Sequence, residues 1–272
     1  MHQLKPKLKN QIFRWQAGKK PVRCDDEFAI EEPLEIRVDN QPVSVTMRTP
    51  GHDAELAAGF LVTEGLIKNR GDVLKVEPYP RNKDKNVINV FLSPDVAVDF
   101  KQLTRHVFAS SSCGLCGKAT IASVHQHFPK IKSKVLVSAK TILGLLEKLR
   151  GAQETFERTG GLHAAAVFDL DGNLLVLRED VGRHNAVDKV LGHGFLKGVF
   201  PLQGHILMVS GRASFEILQK ALAARIGIIC AVSAPSSLAV EFARESGQTL
   251  VGFLREERMN IYSHPKRIKF PS

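Results

Sequence analysis

From Gly161 onward the chain alternates short apolar runs with amphipathic ones, and this restricts its fold more than any other feature. GLHAAAVFDLDGNLLVLRE supplies two apolar runs joined at Asp171-Gly172, a dipeptide suited to the left-handed backbone of a tight hairpin. Apolar spacing then predicts a helix over 183–196, a strand over 204–209 and a helix over 213–225. A strand over 227–232, a helix over 236–245 and a strand over 248–254 follow. Strands separated by helices lie parallel and are buried on both faces by their connections. An amphipathic helix over SAKTILGLLEKLRG, with Ser138 placed to cap it, precedes the hairpin. The order is one helix, two hairpin strands and three helix–strand units, an α/β arrangement.

The first half is organised differently. FAIEEPLEIRVDNQPVSVTMRTP alternates apolar and polar residues around Asp39-Asn40-Gln41-Pro42, which predicts a hairpin. Pro50-Gly51-His52-Asp53 ends it, and Asp53 is expected to cap the helical run AELAAGFLVTEGLI. Further strands are expected over 73–78 and 86–92. These signals predict a small α+β domain over 26–135, then the α/β domain over 136–272. Residues 1–25, polar and basic, are expected to form a loosely held arm.

Composition excludes several classes. No apolar run reaches the roughly 18 residues that span a bilayer, so no membrane role is expected. The basic start lacks the apolar centre of a secretory signal, and four cysteines are too few for a disulfide scaffold. A cytoplasmic protein with free thiols is the expectation. The net charge of +10 favours anionic partners. No run interleaves aromatic with basic residues as a single-strand stacking groove would, so nucleic acid is not expected as the partner.

Ligands of open α/β sheets settle at the carboxyl ends of the parallel strands, where helix N-termini point. Those junctions read Glu179-Asp180-Val181-Gly182-Arg183-His184-Asn185, Ser210-Gly211-Arg212-Ala213-Ser214 and Ser233-Ala234-Pro235-Ser236-Ser237. They are rich in glycine and serine, and two carry an arginine, a pattern suited to phosphate.

SSSCGLCGKAT, residues 110–120, places Cys113 and Cys116 among glycines and serines. Three chemistries use that spacing. A zinc site needs about four ligands, which His125 and His127 would complete only on an extended backbone beside a predicted helix. A redox pair normally follows a strand and opens a helix, and this one lies between two domains. An accessible thiolate, favoured by Lys118 and by His106 or His125, would accept and carry sulfur. On the residues alone all three stay open.

Taken together, SSSCGLCGKATI, TGGLHAAAVFD, REDVGRHNAVDKVLG, SGRASFEILQKA and VSAPSSLAVE resemble, in this order, the formate dehydrogenase accessory protein family, FdhD. The resemblance runs from about Phe28 to His264. It implies a sulfur carrier that takes persulfide sulfur from a cysteine desulfurase. The recipient would be the molybdenum bis-guanine-dinucleotide cofactor that formate dehydrogenase needs. By this resemblance Cys113 bears the persulfide, and Cys116 is its partner in loading or release. The second domain is expected to be similar to the cytidine deaminase fold. The deaminase glutamate of His-x-Glu and the paired metal-binding cysteines are missing at Arg183-His184-Asn185-Ala186 and Gly211-Arg212-Ala213-Ser214. No structural metal is therefore expected, and the pocket becomes a guanine nucleotide site with Arg183, His184 and Arg212 at its helix starts. GDP would serve as an analogue of the cofactor's nucleotide. The same resemblance assigns Phe253, Leu254, Arg255, Glu256, Glu257 and Arg258 to cofactor binding, although two glutamates beside a pyrophosphate would repel it. A two-fold homodimer would match a ligand with two guanine ends. A thiol–disulfide oxidoreductase and a nucleotide- or RNA-binding module are the alternatives.

Overall fold

The computed structural model describes residues 6–80, 85–96, 98 and 128–271. Cys113 and Cys116, with His106, Lys118, His125 and His127, lie outside the described residues.

Instead of a loose arm, the basic start forms an antiparallel hairpin of β1 (Lys7–Arg14) and β2 (Val22–Ala29). Leu8 pairs with Phe28 and Ile12 with Cys24, so the alternation that makes these strands was present among the lysines. The next hairpin joins β3 (Glu32–Val38) to β4 (Gln41–Arg48) through Asp39 and Asn40, at φ 48° and 68°. Two consecutive left-handed residues make the turn whose twist matches its strands. Helix α1 (Asp53–Thr63) begins where expected, but Asp53 does not cap it. His52 holds the cap position at φ 60°, and Asp53 accepts from Arg48 Nε at 3.0 Å and Nη2 at 3.1 Å. Arg48 is wholly buried, and a buried guanidinium needs a carboxylate more than a helix end needs a cap. Strands β5 (Val73–Pro78) and β6 (Val87–Leu92) complete a sheet of order β4-β3-β6-β5. Its Leu34, Ile36 and Val90 pack against Leu56, Leu61 and Val62 of α1.

The second half follows the predicted order closely. After β7 (Val137–Ser138), Ser138 accepts from Thr141 N at 2.9 Å and caps α2 (Ala139–Gly151). Then come α3 (Glu154–Thr159), β8 (His163–Phe168), β9 (Leu174–Asp180) and α4 (Arg183–Leu196). Next are β10 (Ile206–Val209), α5 (Phe215–Ala223), β11 (Ile228–Ala231) and α6 (Ser237–Ser246). The last elements are β12 (Thr249–Gly252), β13 (Asn260–Ser263) and β14 (Ile268–Lys269). The large sheet has the order β13-β12-β11-β10-β8-β9, with β10, β11 and β12 parallel and β8 antiparallel to both neighbours. Alternate residues feed two cores. Ala164, Ala166 and Phe168 pack with Ile142, Leu145 and Leu149 of α2. Ala165 and Val167 pack with Val187 and Val190 of α4 and with Ile217 of α5. Residues 128–135, assigned from sequence to the first domain, adjoin this second half. Ile131 N donates to Ser246 O at 2.8 Å, and Arg225 donates to Pro129 O.

Helix α4 joins the halves, lying between the large sheet and α1. The two helices meet backbone to backbone. A Cβ on Gly59 would sit 1.9 Å from Asp188 O, and one on Gly192 would sit 1.8 Å from Glu55 O. Polar residues of α4 are buried in the same seam. Lys220 Nζ lies 2.8 and 2.9 Å from the Asp188 carboxylate and 3.0 Å from Thr63 Oγ1. Burial opposes charge on both partners and pushes the Asp188 carboxyl above its ordinary range. On Lys220 burial is outweighed by the carboxylates of Asp188 and Glu64, which push it up. Three oxygens thus surround the Lys220 ammonium. Beside it, Glu55 is met by His52, Arg178 and His193. Burial would raise its carboxyl, but those hydrogen bonds prevail and hold it well below the ordinary glutamate range.

Candidate functional site

Strands β9, β10, β11 and β12 all end on one edge of the large sheet, and the three glycine- and serine-rich junctions lie along that edge. Residues 179–189 divide their side chains between holding the edge and lining it. Asp180, fully buried, accepts from Gly182 N at 2.8 Å and Asn185 Nδ2 at 3.0 Å, and pairs with Lys189 Nζ at 2.7 Å. Lys189 also donates to Thr49 O at 2.8 Å, and Asn185 Nδ2 to Met47 O at 2.7 Å, so both tie the junction to β4 and the turn after it. Glu179 accepts from Thr155 N and Phe156 N at 2.9 and 2.7 Å, at the start of α3. Arg183 and His184 take no part in this network.

His184 Nε2 lies 3.0 Å from Glu216 Oε2 and 3.3 Å from Ser214 Oγ, linking the first turn of α4 to the first turn of α5. Arg183 Nε is buried and, among the described residues, has no hydrogen-bond partner. Arg212 is exposed. Gly182 and Ser214, the N-cap residues of α4 and α5, make no side-chain cap, whereas Ser236 caps α6 by accepting from Ala239 N at 3.2 Å. Two helix starts whose N-cap residues make no side-chain cap among the described residues therefore turn their positive dipole ends toward a guanidinium nitrogen that has no described partner. Phosphate oxygens are the natural complement.

His163 was missing from the sequence-derived set. It opens β8 and pairs with Asp180, which ends β9. The signal was in the hairpin itself: antiparallel strands put the first residue of one beside the last residue of the other. A Cβ on Gly211 would come 3.3 Å from His163 Nδ1, so a glycine there leaves the ring its room. Burial pushes His163 below the ordinary histidine value, and the positive charges of Arg183, His184 and Arg212 push the same way, against Asp180. It is therefore neutral near pH 7. Glu216 is a further addition, whereas Ser214 already stood in the second of the sequence-derived junctions.

The 253–258 stretch is divided. Phe253 is exposed at φ 49°, and Leu254 is wholly buried in the core. Arg255 Nη1 donates to Val232 O at 2.7 Å and Leu254 O at 2.8 Å, so its guanidinium binds backbone that the sequence cannot foresee. Glu256 is exposed, with Arg150 at 3.7 Å. Glu257 and Arg258 are exposed too. Cys230 sits in β11, where burial pushes its thiol up to about 12, as suits a buried small hydrophobe. Among the described residues, no helix is long and apolar enough to cross a membrane.

Comparison with known proteins finds similarity along nearly the whole chain. The chain is 50% identical over 253 residues to the sulfur carrier protein FdhD of Mycobacterium tuberculosis, covering 89% of this chain and 92% of that one. It is 46% identical over 268 residues to the sulfur carrier protein FdhD of Streptomyces coelicolor, covering 96% and 95%. The protein of that name from Picrophilus torridus is 45% identical over 248 residues, covering 89% and 92%. A crystal structure of a formate dehydrogenase accessory protein from Desulfotalea psychrophila superposes with a TM-score of 0.76. It covers 97% of this chain and 100% of that one at 24% identity, which shows a shared fold. The model of the FdhD/NarQ family matches residues 29–269, from the end of the first hairpin to the last strand, and the chain belongs to that family.

Proposed function

We propose that this protein accepts persulfide sulfur on Cys113 from a cysteine desulfurase and passes it to the molybdenum bis-guanine-dinucleotide cofactor of formate dehydrogenase. One observation carries this reading: identity of about one half to sulfur carrier proteins across nearly the whole chain. In loading, the Cys113 thiolate attacks the outer sulfur of the donor persulfide. A new S–S bond forms at Cys113, and the donor's inner sulfur departs as a thiolate and takes up a proton. Oxidation states balance, because one persulfide replaces another. In release, the Cys116 thiolate attacks Cys113 Sγ. A Cys113–Cys116 disulfide forms, and the outer sulfur leaves with the bonding pair as hydrosulfide, a ligand for molybdenum. The Cys116 thiol is the reductant in that step, and a cellular dithiol afterwards reduces the disulfide.

The nucleotide ends of the cofactor would rest on Arg183, Arg212 and the starts of α4 and α5. GDP is the convenient analogue, and a second copy of the chain would supply a pocket for the second guanine. Replacing Arg183 and Arg212 together by alanine is expected to weaken GDP binding about ten- to a hundredfold, the value of one or more lost charge-assisted bonds. A second readout follows from His163. A bound phosphate offsets the cationic neighbours that depress this histidine, so its titration followed by NMR should move upward when GDP is added. By linkage, GDP then binds more tightly as pH falls toward the raised value. A His163 signal indifferent to saturating GDP would place the nucleotide elsewhere.

Sulfur loading is tested by mass spectrometry after incubation with a cysteine desulfurase and cysteine. The Cys113 peptide should gain about 32 Da, one sulfur atom. A protein that acquires only a Cys113–Cys116 disulfide is a thiol–disulfide oxidoreductase, and the carrier reading would be lost.

A further inference from the structure

A cleft of about 600 Å³ lies at the other edge of the large sheet, between residues 133–136 and 264–267. Its position is fixed by Arg267, whose Nε donates to Ser133 O at 3.1 Å and whose Nη1 donates to Thr249 Oγ1 at 3.2 Å. Thr249 opens β12, so the cleft stands at the amino ends of the parallel strands, away from Arg183 and Arg212. Ile131 leads into it, packed close to Gly227 and Gly247 at the starts of β11 and β12.

The charge here is of one sign. Residues 129–146 contain no Asp or Glu and carry Lys130, Lys132, Lys134 and Lys140. Residues 258–272 also lack acids and carry Arg258, Lys266, Arg267 and Lys269. The fold brings these distant segments together through the β7–β14 ladder, in which Val137 pairs with Ile268 and Ser138 with Lys269. Lys134, His264 and Lys266 on the cleft walls are exposed. Two large apolar side chains border the ladder: Leu136, 61% exposed, just before β7, and Phe270, 53% exposed, just after β14. Among the described residues the ladder has only these two strands.

We propose that this cleft docks an acidic, extended segment of the protein that donates sulfur. The proposal rests on the sulfur-carrier reading for the identity of the partner; the chemistry of the surface selects the kind of segment. Carboxylates answer the lysines, an extended segment follows the line from the cleft to the ladder, and apolar side chains answer Leu136 and Phe270. Single-stranded nucleic acid fits less well, because among the described cleft-lining residues there is no Phe, Tyr or Trp, and Phe270 beside the cleft offers a lone ring rather than a row for successive bases.

The test uses the full chain with Lys134→Glu and Lys266→Glu combined, and a purified cysteine desulfurase as the probe. Calorimetric titration at low and moderate salt should show desulfurase binding weakened at least about tenfold in the variant, and wild-type binding weakened by salt. GDP affinity, and loading of Cys113 by glutathione persulfide, should be the same in the variant as in the wild type. Unchanged desulfurase affinity in the variant overturns the proposal. So does a wild-type protein that binds single-stranded RNA through these lysines and does not bind the desulfurase. Charge-dependent desulfurase binding without any sulfur gain on Cys113 would leave the docking surface standing and remove the carrier reading instead.

Discussion

A chain carrying Cys113→Ala is expected to fold normally and to yield formate dehydrogenase with activity at least about a thousandfold below that obtained with the wild type. A covalent carrier has no partial substitute. The alanine methyl group has no lone pair to attack a persulfide and no bond through which to hold the sulfur. The proposed docking and nucleotide surfaces consist of other residues, so desulfurase and GDP affinities should be retained, which separates lost chemistry from lost structure. The remaining cysteines are the controls. Cys230 is buried, and with its thiol pushed up to about 12 it has almost no thiolate at neutral pH. Cys230→Ala should lose about 1 kcal/mol of stability and keep activity. Cys116→Ala should load sulfur normally and release it only when an external thiol is supplied. Formate dehydrogenase matured fully by the Cys113→Ala chain would refute the assignment of the carrier atom.

Gly192→Ala is expected to be the most destabilising single methyl addition at the α1–α4 crossing. Its Cβ would lie 1.8 Å from Glu55 O and 2.7 Å from Gly59 N, both main-chain atoms that no rotamer change can move. Relief requires the two helices to separate by an ångström or so. That separation would stretch the Thr63–Asp188–Lys220 contacts across the same seam and leave charge buried with poorer partners. A cost of about 3–5 kcal/mol follows, or a fall of roughly 10 °C in Tm for a chain of this size. Gly144→Ala is the matched control. It lies within α2 with nothing inside 4 Å of the added atom, and should gain about 0.5–1 kcal/mol. Equal Tm values for wild type and Gly192→Ala would mean that the helices are not held at this distance.

The parts of the fold readable in the sequence are those set by local chemistry. Asp39-Asn40 and Asp171-Gly172 mark their turns through backbone preference, and the apolar runs of β10, β11 and β12 need no partner to be recognised. Long-range pairing was not readable. Asp188 and Lys189 have the composition of a solvent-facing helix side, yet both are buried because the partners they answer to, Lys220 for one and Asp180 with Thr49 for the other, include residues far away in sequence. Asp53 looked like a cap until a buried Arg48 claimed its carboxylate. At the candidate site, the placement of Arg183, His184 and Arg212 beside strand carboxyl ends was readable from the order of strands and helices. That of Arg255 was not, since its acceptors are carbonyl oxygens, which every residue carries and no side-chain pattern announces.

The seating of Ile131 at the amino ends of β11 and β12 has a consequence for traffic through the molecule. A strand of four residues such as β12 is only about 13 Å long, but it runs through the solid middle of the domain. A visitor at the lysine-rich rim and one at the arginine-rich rim would never touch the same atoms, so neither has to depart before the other arrives. With both proposed surfaces in use, the protein would act as a bridge between two neighbours rather than as a ferry that must leave one shore to reach the next.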